Sequence, residues 1–181
     1  MSENTPVIET IKLSRRFRRL DAVHHLDLSV TEGSIHAFLG PNGAGKTTTI
    51  RMLLNIIPPS SGEATVLGTK SRKLAQRDFE KIGYVSENQK LPLWMTVAQL
   101  MNYLRPLYPT WDNPFAEKLL KDFDLPLGQK LKHLSRGMRM KTALVGALAF
   151  RPRLLVLDEP FSGLDPLVRE EFLEGIIELT A

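Results

Sequence analysis

Gly40-Pro41-Asn42-Gly43-Ala44-Gly45-Lys46-Thr47 decides the fold. It fits the pattern G-x-x-x-x-G-K-[ST] at every fixed position. Before it, the apolar run Ile35 to Leu39 predicts a buried strand; after it, Lys46 to Ile57 carries apolar residues at helical spacing until Pro58-Pro59 predicts a stop. In a strand–loop–helix of this kind the glycines let successive backbone N–H groups turn inward as an anion nest, and the positive end of the helix adds to their field. Lys46 is placed to neutralise β- and γ-phosphate oxygens, and Thr47, in the first helical turn, to offer its hydroxyl to a bridging Mg²⁺. The candidate nucleotide-binding residues here are Gly40, Pro41, Asn42, Gly43, Ala44, Gly45, Lys46, Thr47 and Thr48. A glycine turn with a chance lysine is the plainer alternative, and the flanks count against it.

A second stretch, Leu154-Leu155-Val156-Leu157-Asp158-Glu159, is an apolar run that ends in two acids. A run of this kind predicts a buried parallel strand that delivers both carboxylates to the ligand edge of a sheet. Asp158 is the candidate Mg²⁺ holder. Glu159 points differently because strand side chains alternate, and is the candidate catalytic base that polarises the attacking water. An acidic strand end that merely caps the next turn is the competing reading.

Outward from these two motifs, Val7 to Leu13 and the alternating Leu26, Leu28 and Val30 predict hairpin strands at the start of the chain. A further strand pair is expected at Glu63 to Leu67 and Lys81 to Val85. From about residue 88 to 134 the pattern turns helical. Thr96-Val97-Ala98-Gln99 has capping-box spacing, and Asn113-Pro114 places a cap before a proline at the first helical position. Val97, Leu100, Met101 and Leu104 form one apolar stripe and Phe115, Leu119, Leu120 and Phe123 another, both read as core. Met138 to Phe150 predicts a further helix, and Asp165-Pro166 caps a last one running to Ala181.

The composition sets outer limits. With 181 residues, 43% hydrophobic and 24% charged, the chain has the bulk of one ordinary globular domain. No apolar run approaches the ~20 residues that cross a bilayer, and the start Met1-Ser2-Glu3-Asn4-Thr5-Pro6 lacks the basic and apolar parts of a secretory signal. A water-soluble, cytoplasmic domain is the expectation. Without cysteine, and with His24, His25, His36 and His133 at no zinc spacing, metal chemistry falls to oxygen ligands. The net charge of +4 suits nucleic acid, anionic lipid and polyphosphate equally. Its densest segment, Arg15, Arg16, Arg18 and Arg19, reads as a solvated strand end.

With these motifs in this order, the sequence resembles the ATP-binding subunits of ABC transporters from about Ile8 to its last residue. The resemblance implies an α/β fold, a P-loop NTPase with a mainly parallel central sheet, an N-terminal antiparallel β subdomain and an inserted helical subdomain over 88–134. Residues 1–181 form a single ABC ATPase domain on this reading. Leu134-Ser135-Arg136-Gly137-Met138 resembles the family's L-S-G-G-Q signature, with Arg136 and Met138 as departures. Ser135 and Gly137 would open a helix whose amides face the γ-phosphate held by a second copy; a plain helix cap is the alternative for Ser135. Ser162-Gly163-Leu164-Asp165 resembles the D-loop. Phe17 stands where the family has an adenine-stacking aromatic, while a core phenylalanine fits as well. Glu87 replaces the Q-loop glutamine, with Gln89 two positions on, and becomes a third candidate metal ligand beside Thr47 and Asp158. The family's switch histidine follows the D-loop by about a helix and a strand, so a longer polypeptide, C-terminally incomplete here, is expected.

The function implied is a motor: ATP and Mg²⁺ close two subunits head to tail, as homodimer or heterodimer, hydrolysis reopens them, and a separate membrane permease uses the motion. The altered signature and Q-loop resemble ATPases paired with ABC-2 type permeases. Location would be peripheral, on the inner face of the cell membrane. Residues near 85–112 are the expected permease contact, with Trp94, Tyr103 and Trp111 as candidates. The alternatives are a soluble ABC-type ATPase acting on DNA or ribosomes and a nucleotide-binding regulator without turnover. No nucleic acid is expected, because the interval from Lys46 to Ser135 holds only a compact helical insert without cysteine.

Overall fold

The computed structural model describes residues 6–86 and 89–160. They fall into two compact units that divide between Phe79 and Glu80.

The first unit is built on an antiparallel sheet of β1 (Pro6–Phe17), β2 (Leu20–Thr31), β3 (Ser61–Val66) and β4 (Thr69–Lys70), in the order β2-β1-β3-β4. Arg18 and Arg19 make the turn between β1 and β2, where Phe17 pairs with Leu20. Along β1, Ile8 and Thr10 are buried while Glu9 and Ile11 are exposed. Continued without interruption, that period of two would bury Lys12. A register irregularity intervenes: Lys12 adopts a left-handed φ of 46° and donates its N–H to Asp27 Oδ1 at 2.6 Å. The phase shifts by one residue, and Leu13 is fully buried in place of the lysine.

Helix α1 (Lys46–Leu53) follows the glycine loop and buries Thr49, Ile50, Met52 and Leu53. It is shorter than the spacing predicts, and the prolines do not stop it. Asn55, in the left-handed region at φ 57°, donates to Met52 O, and Ile56 donates to Arg51 O at 2.9 Å. This is a Schellman closure, with asparagine in the position glycine usually takes. The apolar run Ile35–Leu39 is not a strand, and Ile35 and Leu39 are 66% and 91% exposed. Among the described residues it has no ladder partner, and apolar pattern without pairing does not make a strand. A short helix, α2 (Gln76–Phe79), ends the unit.

The second unit pairs β5 (Ile82–Ser86) with β6 (Leu154–Asp158) in parallel, in register from Ile82–Leu154 to Ser86–Asp158. The expected partnership of the Glu63 and Lys81 strands does not form, because β3 is flanked by β1 and β4 while β5 pairs with β6. Between the parallel strands lie α3 (Val97–Leu104), α4 (Asn113–Asp122) and α5 (Arg136–Leu148). The capping box of α3 is complete: Gln99 N–H donates to Thr96 Oγ1, and Thr96 N–H to Gln99 Oε1. Helix α4 begins one residue earlier than Asn113-Pro114 suggests, with Asp112 as its cap; Oδ1 accepts from Phe115 N–H at 3.0 Å, and Pro114 occupies the second helical position. The core joins both predicted stripes to α5, where Leu144 and Val145 are fully buried beside Val97, Leu119 and Leu131. Removing a side chain of that kind from water contributes about 1.5–3 kcal/mol. A Cβ at Gly83 would lie 2.6 Å from Ala147 O, so only glycine there admits the end of α5 onto β5.

Candidate functional site

The loop Gly40–Gly45 reaches α1 through backbone that L-residues resist: Gly43 and Gly45 have φ of 87° and 85°. Gly45 is also the cap of α1. A Cβ on it would sit 2.2 Å from Ala22 O, so strand β2 packs directly against the loop backbone. Helix α1 therefore starts with no side-chain cap, and its first turn holds no acidic residue. An anion such as a phosphate suits that positive end. Ala44 N–H donates to Pro41 O at 3.1 Å, tightening the loop, and Asn42 lies exposed at its tip. Lys46 turns back over the loop, its Nζ donating to Gly40 O at 2.8 Å and to Pro41 O at 3.0 Å. Thr47 and Thr48 are half-buried in the first turn. The ammonium and the hydroxyl thus belong to the same turn of backbone as the glycine cradle.

Phe17 belongs to the same unit, at the end of β1, and is 41% exposed, which removes the core reading. The neighbouring arginines divide. Arg16, Arg18 and Arg19 are exposed, as a solvated strand end would be, whereas Arg15 is half-buried against the Phe17 ring.

In the second unit, β6 carries Asp158 to its carboxyl end, where it is 6% exposed. Its ladder partner is Ser86, the last residue of β5. Glu159 follows, half-buried, with a left-handed φ of 52° that places it out of the strand's alternation. Such backbone in a residue with a Cβ costs about 1–2 kcal/mol, and strain of this kind gathers at functional positions. Ser135 caps α5, its Oγ accepting from Met138 N–H at 3.1 Å, and Gly137 is half-buried at the second helical position. The plain cap reading of Ser135 is therefore true, and it leaves the following amides at the helix start. Glu87 and Ser162–Asp165 lie outside the described residues, as does the helix expected beyond Asp165.

Sequence reasoning missed a cavity of about 200 Å³ in the second unit, lined among others by Tyr84, Gln89, Tyr103 and Tyr108. Tyr108 stacks on Phe150 at 3.9 Å, and burial raises its pKa. Aromatics scattered over 84–150 give no periodic signal that would gather them at one hollow. Of the three predicted contact aromatics, Trp94 and Tyr103 are exposed, while Trp111 packs on the core.

The family model described as "ABC transporter" matches residues 23–162. The chain belongs to the ABC transporter family. Its ABC transporter relatives include the "Probable multidrug ABC transporter ATP-binding protein YbhF" of Escherichia coli (strain K12), 34% identical over 94% of this chain and 31% of that protein. Another is the "Bacitracin transport ATP-binding protein BcrA" of Bacillus licheniformis, 33% identical over 89% of this chain and 53% of that one. The chain thus spans about a third to a half of the length of these curated relatives. A solved ABC transporter ATP-binding subunit superposes with a TM-score of 0.83 at 28% identity, covering 96% of this chain and 75% of its own. The fold is that of an ABC ATPase: α/β, with an antiparallel N-terminal sheet and parallel pairing where the two acids emerge. No helix among the described residues is long and apolar enough to cross a membrane.

Proposed function

We propose that this chain binds ATP with Mg²⁺ and hydrolyses it as the motor subunit of an ABC transporter. The observation that supports this most is the uncapped start of α1 behind a glycine loop, with Lys46 Nζ folded onto that loop's own carbonyls. Phosphate oxygens are stronger partners for an ammonium than carbonyl oxygens, so these two contacts give way to the β- and γ-phosphates when they arrive. Loop amides then hold the phosphate chain, and Phe17 offers its exposed ring to the base. Thr47 and Asp158 would each offer an oxygen donor to Mg²⁺, which when bound would neutralise charge on the transferred phosphoryl group. Glu159 accepts a proton from the water whose oxygen attacks the γ-phosphorus as the bond to the β-phosphate oxygen breaks, giving ADP and phosphate.

The partners proposed are a second ATPase subunit, met head to tail through the start of α5 at Ser135 and Gly137, and a membrane permease. Supporting the permease is the cavity beside exposed Tyr103, with Trp94, 68% exposed, on the same unit. An apolar hollow with aromatic rims suits a helical segment of a partner. Residues 1–181 belong to one ABC ATPase domain, with 88–134 as its helical insert. The permease proposed is of the ABC-2 type, with this chain at the inner face of the membrane; the two relatives' names, a multidrug transporter and a bacitracin transporter, support a transport role.

Equilibrium ATP binding by the full-length protein, with and without Mg²⁺, tests the reading. Wild type binds, and Lys46→Ala loses affinity by at least ~10-fold, as expected when a charge-assisted contact worth about 1.5–3 kcal/mol disappears. Equal binding by the two proteins would remove the loop from the site.

A further inference from the structure

Arg15 and Phe17 are two residues apart on β1, a spacing that puts their side chains on one face of the strand. The Arg15 guanidinium carbon lies 4.5 Å from the centroid of the Phe17 ring. One of its terminal nitrogens donates to Pro58 O at 2.7 Å, while Nε is enclosed without a hydrogen-bond partner among the described residues. The neighbouring cation differs, since Arg16 reaches the carboxylate of Asp21 at 3.4 Å. The hairpin is stitched to the 58–60 turn at two further points: Arg16 N–H donates to Ser60 Oγ at 3.1 Å, and Ser60 N–H to Ser14 O at 2.8 Å.

We infer that Arg15 is a positioning residue for the nucleobase: it clamps Phe17 against the segment that follows α1, so that the ring stands as a fixed platform for a purine. The inference rests on the ATP-binding reading above. A phenyl ring 41% exposed at a hairpin end has little else to hold its rotamer. Covering one face with a guanidinium held in place by a backbone carbonyl restricts the ring, and the opposite face remains for a flat base. The anchor also has a mechanical sense. Pro58 lies just past the end of α1, whose start carries Lys46 and Thr47, so the base platform and the phosphate cradle are tied to the two ends of one short segment. Pre-ordering both before ligand arrives lowers the ordering cost that binding would otherwise bear.

The test separates base from phosphate. Affinities of full-length wild type, Arg15→Gln, Arg15→Lys, Phe17→Leu and the Arg15→Gln/Phe17→Leu double variant are measured for ATP and for inorganic tripolyphosphate, which has no base. Glutamine removes the guanidinium while the two Ser60 contacts that stitch the hairpin stay in place. Arg15→Gln is expected to weaken ATP by about 3- to 10-fold, in line with a partly buried cation–π contact, and to leave tripolyphosphate unchanged. Arg15→Lys recovers most of the ATP affinity, and the double variant is no weaker than Phe17→Leu alone, as for residues that act through one another. Equal losses for both ligands, or additive losses in the double variant, overturn the positioning role, as does an unchanged ATP affinity in Arg15→Gln. Wild type that binds tripolyphosphate but not ATP overturns it too, and wild type that binds neither sinks the ATP reading itself.

Discussion

Ser86 and Asp158 are ladder partners at the carboxyl ends of β5 and β6. In a parallel pair both strands run out at one edge, so Glu159 leaves β6 level with the end of β5. Glu159 does so through left-handed backbone. Glycine would adopt φ 52° without steric cost, whereas alanine retains the clash and loses the carboxylate. Glu159→Gly is therefore expected to be more stable than Glu159→Ala by about 1 kcal/mol, although alanine is the better residue in ordinary structure. Urea titration of both variants checks this, and equal midpoints would show that no strain is held at this position.

The glycines of the phosphate loop are not equivalent. At Gly43 an added Cβ meets nothing within 4 Å, so alanine there bears only the conformational cost of φ 87°, about 1 kcal/mol. At Gly45 the same atom lands 2.2 Å from Ala22 O, which is backbone and cannot rotate away. Gly45→Ala is expected to lower the melting temperature well beyond Gly43→Ala. Reversal of that order would mean that β2 does not pack on the loop.

Asp112 caps α4 and also accepts from Arg151 Nε at 3.1 Å, while the Arg151 guanidinium lies 3.4 Å from the Phe115 ring centroid. The backbone N–H of Phe115, and after it Arg151, hold the Asp112 carboxyl below its ordinary pKa of 3.8. A carboxylate whose pKa is depressed by folding stabilises the fold above its unfolded value, and the contribution is lost as pH falls toward the folded value. Wild type is thus expected to melt above Asp112→Ala at neutral pH, with the gap closing below about pH 4. Asp112→Asn, which keeps a capping oxygen, should fall between the two at neutral pH. A gap independent of pH would assign the effect to packing rather than to charge.

Much of this was legible in the residues, for identifiable reasons. The glycine loop and the acid-terminated apolar run are short-range patterns whose chemistry depends on spacing, and Thr96-x-x-Gln99 encodes its own capping box within four residues. What was not legible depended on partners distant in sequence. Ile35–Leu39 has the composition of a buried strand but no ladder partner among the described residues. The end of α1 lay in Asn55, an asparagine in glycine's role, rather than in the conspicuous prolines. Phe17 alone fits core or site, and only the hairpin geometry, with Arg15 laid on it, exposes the ring.

Magnesium-dependent phosphate release from ATP by the full-length protein, compared with its Glu159→Gln variant, probes the motor reading most directly. Wild type is expected to release phosphate only when Mg²⁺ is supplied, and Glu159→Gln to bind ATP as before while turning over ~10²- to 10⁴-fold more slowly, the range a positioned base supplies. Release that persists undiminished in the variant, or that needs no metal, would contradict it.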